Sequence, residues 1–502
     1  MGLVGALSGR VVERATGNPI FSRAVVAALA ALLALTTGAS AQGIRGTAVT
    51  NVRYLTLRPI QADTVARADV IEQDGVFTFE GREVFCSRST DACIRYIPAD
   101  EAHAVVATQD ISATAWGLGV QGLSATVLLR GRGDLAGDLT WPTSDDDFDA
   151  ILAYAQLQRS TYRVRAGRQR TMSGLGFSGF DGVEVSVAPT AWLRAEAYGG
   201  RSLARGLNEP RHEALRAIED FVLDQDAWLY GGFVELSPGH ATSVGVRYQR
   251  EIWADRIGLV SERASVDLRS NLPGPLSLDG SMDYDFAFGR VGKSHVSLRS
   301  RLPDGWGWLE LTGRRYVPYF DLSTIWGFFS PTPYHEAELE ATVLRLRPVT
   351  VWAAAAVREY GDPEISVIGP PITDATRRYS VGARGSAGPW RASGEYRLET
   401  GFGAFLSSGD LSVRYAPSER WALTARGSAF QQIEQFRVGE NAVLGAGLGG
   451  ELVLPWSARL RAGADLYTQR YENRGPADWD QLRAYTILSI PFGEDPGVRG
   501  RS

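Results

Sequence analysis

Residues 180–200 read FDGVEVSVAPTAWLRAEAYGG. Val183, Val185 and Val187 alternate with Glu184 and Ser186, and after Ala188-Pro189-Thr190 the residues Leu193, Ala195 and Ala197 alternate with Arg194 and Glu196. A two-residue period sends successive side chains to opposite faces of a strand, so these are the two arms of a hairpin joined by a tight turn. One face is apolar and the other charged. In a soluble sandwich the apolar face would need a second apolar layer over it. Here the same unit recurs down most of the chain, which predicts a membrane β-barrel, apolar toward lipid and polar toward a lumen.

Composition agrees with that class and excludes others. The chain has 502 residues, 22% charged and 10% aromatic, with a net charge of -5. A polybasic nucleic-acid surface is excluded as its theme, and no nucleic-acid partner is expected. Lys293 is the single lysine, so arginine carries nearly all the positive charge. Cys86 and Cys93 stand in CSRSTDAC with no histidine near enough to complete a metal site. In an exported chain they are expected to form a small-loop disulfide. No glycine-rich phosphate loop, metal cluster or GxSxG elbow occurs, so neither a cofactor nor a metal is expected.

Residues 1–41 read as a signal peptide: Arg10, Arg14 and Arg23 precede an apolar run, and Ala39-Ser40-Ala41 supplies the small residues of a cleavage site. Residues 42–109 carry short strand candidates and both cysteines. They are expected to be a small β module, either periplasmic or contributing the first barrel strands. From 110 to 492 tight turns fall at Gln121-Gly122, Ser160-Thr161, Pro189, Pro238-Gly239, Pro273-Gly274, Pro303-Asp304-Gly305, Pro348, Gly388-Pro389, Pro417 and Pro455. Longer polar connections separate them, as in outer-membrane barrels whose short turns are periplasmic. These turns predict about 18–20 strands, with a range of 16–22, and a tail over 493–502. Trp192, Trp306, Trp308, Trp390 and Trp421 lie near tight turns, where an interfacial aromatic girdle is expected. The expected setting is the bacterial outer membrane, with lipid bilayer, lipopolysaccharide and the barrel-assembly machinery as partners and a monomer as the oligomeric state.

The phase that keeps charge off lipid turns a set of arginines and acids inward. The pore-lining candidates are Arg130, Arg132, Arg163, Arg165, Arg194, Glu196, Arg247, Arg263, Asp283, Asp285, Arg299, Arg397, Arg414 and Arg459. Guanidinium is always charged and grips carboxylate or phosphate with two hydrogen bonds, so such a wall favours anions. The bland alternative is that arginines and acids pair across strands and simply fill the wall. Two connections are candidates for a constriction: 201–226, helical over 210–223, which either folds into the lumen or caps the outside, and the aromatic stretch 319–335, which either lines a sugar path or dips into lipopolysaccharide; a plain surface loop is the alternative for both. His295 and Ser297 resemble the His-x-Ser pair of outer-membrane phospholipase, but Leu298 and Arg299 follow where that family has Asn-Gly, and no enzyme is expected.

Residues 162–187, YRVRAGRQRTMSGLGFSGFDGVEVSV, carry Gly167-Arg168-Gln169 and then Phe180-Asp181-Gly182-Val183. This stretch resembles the alginate-export-type porins. That resemblance implies an 18-stranded monomeric barrel with an arginine-rich lumen for anionic polysaccharide. It implies lumen or loop-latch roles for Arg165, Arg168 and Asp181. The final strand, 481–492, ends in Phe492 and resembles the recognition signal of outer-membrane barrels, although residues follow the aromatic. The expected function is a porin-like channel for small anionic or saccharide solutes. The alternative is a lumen-blocked barrel that binds glycan or a partner at the surface.

Overall fold

The structure is a computed structural model. It describes residues 43–493 except 59, 74–75, 81, 87–90, 137–147, 204–226, 240, 255–256, 318–332, 345, 362–374, 402–404, 435–440 and 472–477. The signal-peptide segment, the helix expected over 210–223, most of the aromatic stretch 319–335 and the tail beyond Gly493 lie outside the described residues.

Twenty-two antiparallel strands of 10 to 15 residues close into one barrel. A tilted crossing of the hydrocarbon needs about 9 to 11 residues, so each strand is long enough to span it. Every backbone ladder is then satisfied by a neighbour, which a bilayer demands. The ten tight turns join twenty strands, from Ala102–Trp116 through Arg459–Tyr471. The remaining two, Gly43–Leu57 and Trp479–Gly493, pair with each other and seal the barrel. The count therefore exceeds the 18–20 expected and stands at the top of the range, because no turn marks the seam between first and last strands. It also departs from the 18 strands that the alginate-export resemblance implied.

The barrel begins at Gly43, well before residue 110. Gly43–Leu57 and Ala102–Trp116 are both wall strands and pair along their whole lengths. Between them, residues 60–98 form two three-stranded sheets. Strand direction puts this insert at the rim opposite the tight turns and opposite Gly43 and Gly493, the cell-surface rim if short turns are periplasmic. Cys86 and Cys93 are cross-strand partners joined as a disulfide, and Cys93 is fully buried opposite the buried Val65 of the next strand. Arg95 lies over the Phe79 ring at 4.9 Å and bonds Asp63 at 2.7 Å and Glu80 at 3.1 Å. A covalent link and a few contacts of this kind suit an insert too small for a core of its own.

Register shows which face meets lipid. Val246, Val266 and Met282 follow one another across three strands, and Leu298, Leu311, Leu339, Ala355 and Tyr379 across five. These side chains have no apolar layer over them: Val246 is 49% exposed and Leu311 53%. Trp390, Tyr415 and Trp421 pack together along the tight-turn rim, with centroids 4.5 and 5.7 Å apart and the second pair edge to face, and Trp192 and Trp306 stand exposed at the same rim. Rings at this height suit the headgroup boundary. Trp308 departs from the expected girdle. Its register partners are Arg301 and Thr342, on the polar face, and Arg299 lies over its ring at 5.5 Å. One residue of phase beyond Gly307 turns it inward.

Candidate functional site

Alternation carries all fourteen candidates to the polar, inner face of the wall. Most have neighbours of opposite charge or polar partners. Arg130 forms a two-toothed bond with Asp110 at 2.7 and 2.9 Å, while Arg132 faces Thr108. Arg163 meets Glu184 at 2.8 Å and Glu196 at 3.7 Å, and Arg194 and Arg247 approach the same Glu196 at 3.4 and 3.9 Å. Arg165 bonds Gln156 at 2.8 Å and lies over Tyr154. Arg263 and Asp285 are direct partners across two strands, with Asp283 two positions along, opposite Ser265. Arg299 pairs with Glu310 at 2.6 Å and Arg397 with Glu395 at 2.9 Å. Cross-strand pairing thus satisfies much of the wall.

A feature that the alternation pattern did not expose lies at one side of the lumen. Gly167, Gly182 and Gly200 stand side by side on three consecutive strands. A Cβ on Gly182 would sit 2.6 Å from the Gly200 Cα, and one on Gly200 would sit 2.7 Å from the Gly182 Cα; Gly167 holds a φ of 124°. Only glycine permits so close an approach and such a backbone angle. Beyond this crease the two arms of 169–180 stay paired to each other but leave the wall, and the ribbon turns into the lumen. Ser178 reaches Gln249, whose amide donates to the Ser178 hydroxyl at 3.1 Å, and the Tyr198 hydroxyl donates to Gln249 at 3.1 Å. At the tip, the Gly174 position faces Ser265 and Asp267 on strand Leu259–Asn271, four strands away from Gly176–Thr190. Phe180, Tyr198 and Leu229 form a small buried core under the ribbon. Gln169 is 1% exposed and donates to the Gly182 carbonyl at 3.0 Å.

Arg168 and Asp181 tie the two arms together at the base of this ribbon, through bonds of 2.9 Å from both Nε and a terminal nitrogen. Their register is that of Ala166 and Val183, the lipid-side face, at the loop end of the strands. They are therefore not lumen residues; Arg165, on the other parity, is. His295 and Ser297 do not form a pair. His295 Nδ1 lies 2.8 Å from Ser281 Oγ, and Ser297 donates to Glu310 at 2.6 Å.

Two arginine-rich regions went unnoticed or undivided in the sequence. The first surrounds Glu336, whose side chain is 2% exposed and accepts from Arg314 at 2.7 Å, Arg358 at 2.8 Å and Arg378 at 2.8 Å. Glu338 and Glu399 complete a balanced network. Glu336→Ala leaves three guanidiniums to the two carboxylates of Glu338 and Glu399, and it is expected to lower barrel stability by about 3 kcal/mol. A fall in the urea midpoint of the vesicle-inserted protein is the readout.

The second region is the tight-turn mouth. Arg163, Arg194, Arg269, Arg299, Arg301, Arg384, Arg391, Arg414, Arg459 and Arg461 face inward within a few residues of a tight turn. Glu196, Glu235, Asp279, Glu310, Glu340 and Glu451 stand at the same height, so positive charge is in excess. The excess peaks around Glu451, which Arg414, Arg459 and Arg461 all approach, at 3.1, 3.6 and 3.8 Å, while Arg391 is the direct cross-strand partner of Arg414. The proximity of these side chains comes from register among five strands, which spacing along the chain does not display.

No protein family matches the chain, and no curated protein matches it. Among solved structures the chain is similar to OccAB1 of Acinetobacter baumannii, at 10% identity over 91% of this chain and 100% of that one, with a TM-score of 0.40. It is similar to a BenF-like porin from Pseudomonas fluorescens Pf-5, at 9% identity over 90% and 99%, with a TM-score of 0.41. It is also similar to Pseudomonas aeruginosa OccK2 (OpdF), solved in complex with glucuronate, at 8% identity over 90% and 98%, with a TM-score of 0.39.

Proposed function

We propose that the chain is a passive outer-membrane channel for small anionic or saccharide solutes. The observation that carries this reading is the inner face: a 22-strand wall whose lumen register is polar around the barrel and whose tight-turn mouth holds more arginine than carboxylate. A wall of that circumference is too wide for its own side chains to fill. Surplus guanidinium at a mouth raises the local concentration of anions and lowers their entry barrier. The ribbon 169–180 narrows the path without being part of the wall.

The rival reading is a blocked barrel that works at the surface through its loops and the insert 60–98. The ribbon is the observation in its favour. Planar-bilayer recording of the refolded protein under a salt gradient separates the two. Discrete current steps with a reversal potential on the anion side are expected. Insertion without current would sink the channel and leave the surface-binding barrel.

A further inference from the structure

The inner wall contains a recess of about 510 Å³ between the strands Val349–Tyr360 and Arg459–Tyr471. Its floor is glycine overlaid by side chains of the neighbouring strands. Gly445 and Gly447 have no side chains there, and the neighbouring strand's Tyr467 and Asp465 lie across them; a Cβ on Gly445 would meet the Tyr467 ring at 2.8 Å. Trp352 lies in the same way over Gly382. Glycines under side chains of this kind leave a flat bed with two aromatic rings at its edges.

The polar groups around that bed are of both kinds. Glu395 and Asp410 are direct cross-strand partners, and Asp465 is the third carboxylate. Arg397 holds Glu395 at 2.9 Å and Arg426 holds Asp465 at 3.1 Å. Both guanidiniums lining the recess are thus already paired with its own acids, and Arg483, the cross-strand partner of Asp465 and 4.9 Å from the Tyr467 ring, offsets Asp410, so the recess carries no surplus charge. An anion gains nothing here, in contrast with the Glu451 mouth. A ring-shaped solute with many hydroxyls fits: carboxylates accept from adjacent hydroxyls, serines and arginines serve the remaining oxygens, and aromatic faces cover the apolar side of the ring.

We propose that this recess is a binding subsite for a neutral saccharide on its way through the lumen. The proposal rests on the channel reading and chooses, for this wall, between the two solute classes named there. Maltotriose is the probe, compared with glucuronate as an anion and lysine as a cation, each added to single channels in planar bilayers. Maltotriose is expected to interrupt the current in a concentration-dependent way. Asp410→Asn and Tyr467→Ala are each expected to raise its half-blocking concentration about tenfold, the loss of one hydrogen bond to a charged acceptor or one stacking face, measured against each variant's own open current. Equal blockade in wild type and both variants, or blockade by glucuronate or lysine alone, overturns the subsite. If the barrel inserts but passes no current, the channel reading fails separately, and calorimetric titration of maltotriose into the detergent-solubilised barrel decides the subsite. Binding that Asp410→Asn weakens supports it, and no binding, or binding that Asp410→Asn leaves unchanged, overturns it.

Discussion

Replacing residues 171–178 by two glycines is expected to raise single-channel conductance about twofold or more, because a constriction in series with a wide lumen dominates its resistance. The ribbon leaves the wall at Gly167 and Gly182 and reaches Ser265 and Asp267 four strands further on, so it lies across a chord of the lumen. Its deletion removes no backbone hydrogen bond of the wall, since residues 171–178 pair only with each other along the backbone and Gly179, which accepts from Leu203, is kept; the side-chain bond of Ser178 with Gln249 is lost. Assembly is checked by heat-modifiable migration on a gel. Gly182→Ala acts on the same element from below. Its Cβ collides with the backbone of Gly199 and Gly200, so the strands Gly176–Thr190 and Leu193–Ser202 must part at the crease on which the ribbon stands. Conductance is expected to move in the same direction as with the deletion, with more current noise. Unchanged conductance in a correctly assembled deletion would mean that the ions never pass the ribbon.

The second large effect is on selectivity. Changing Arg391, Arg414, Arg459 and Arg461 together to glutamine is expected to abolish the anion preference while the pore stays open. Arg414, Arg459 and Arg461 share the single carboxylate of Glu451 and are 38, 57 and 53% exposed, and Arg391 is the cross-strand partner of Arg414, so the four add field at the mouth more than they hold the wall together. A guanidinium about 6 Å from the path changes local anion concentration by roughly threefold even at the dielectric constant of water. Four of them therefore outweigh the residual excess elsewhere around the rim. The reversal potential is expected to fall toward zero at 0.1 M salt. The difference between variant and wild type should shrink at 1 M, where the screening length drops to about 3 Å. A preference that survives the quadruple change would move the selecting charge to another part of the lumen.

The sequence by itself determined the barrel and its phase. Alternation at 183–187 and 193–197, repeated along the chain, decides which residue of each pair meets lipid, because a strand's side-chain period is a local property of its backbone. The ten tight turns were also legible, since proline and glycine mark positions whose φ the turn demands. What the sequence did not display depends on which strands become neighbours. The seam between Gly43–Leu57 and Trp479–Gly493 has no turn to announce it, so the count rose to 22. Gly167, Gly182 and Gly200 look unrelated along the chain and become a crease only when register aligns them. The bond of Ser178 with Gln249 joins positions 71 residues apart across the lumen, and no periodicity encodes a chord. The Glu336 network, the arginines around Glu451 and the glycine-floored recess are likewise products of register among several strands. Strand pairing and the inward curvature of the wall bring side chains from several strands to one place, and spacing along the chain displays neither.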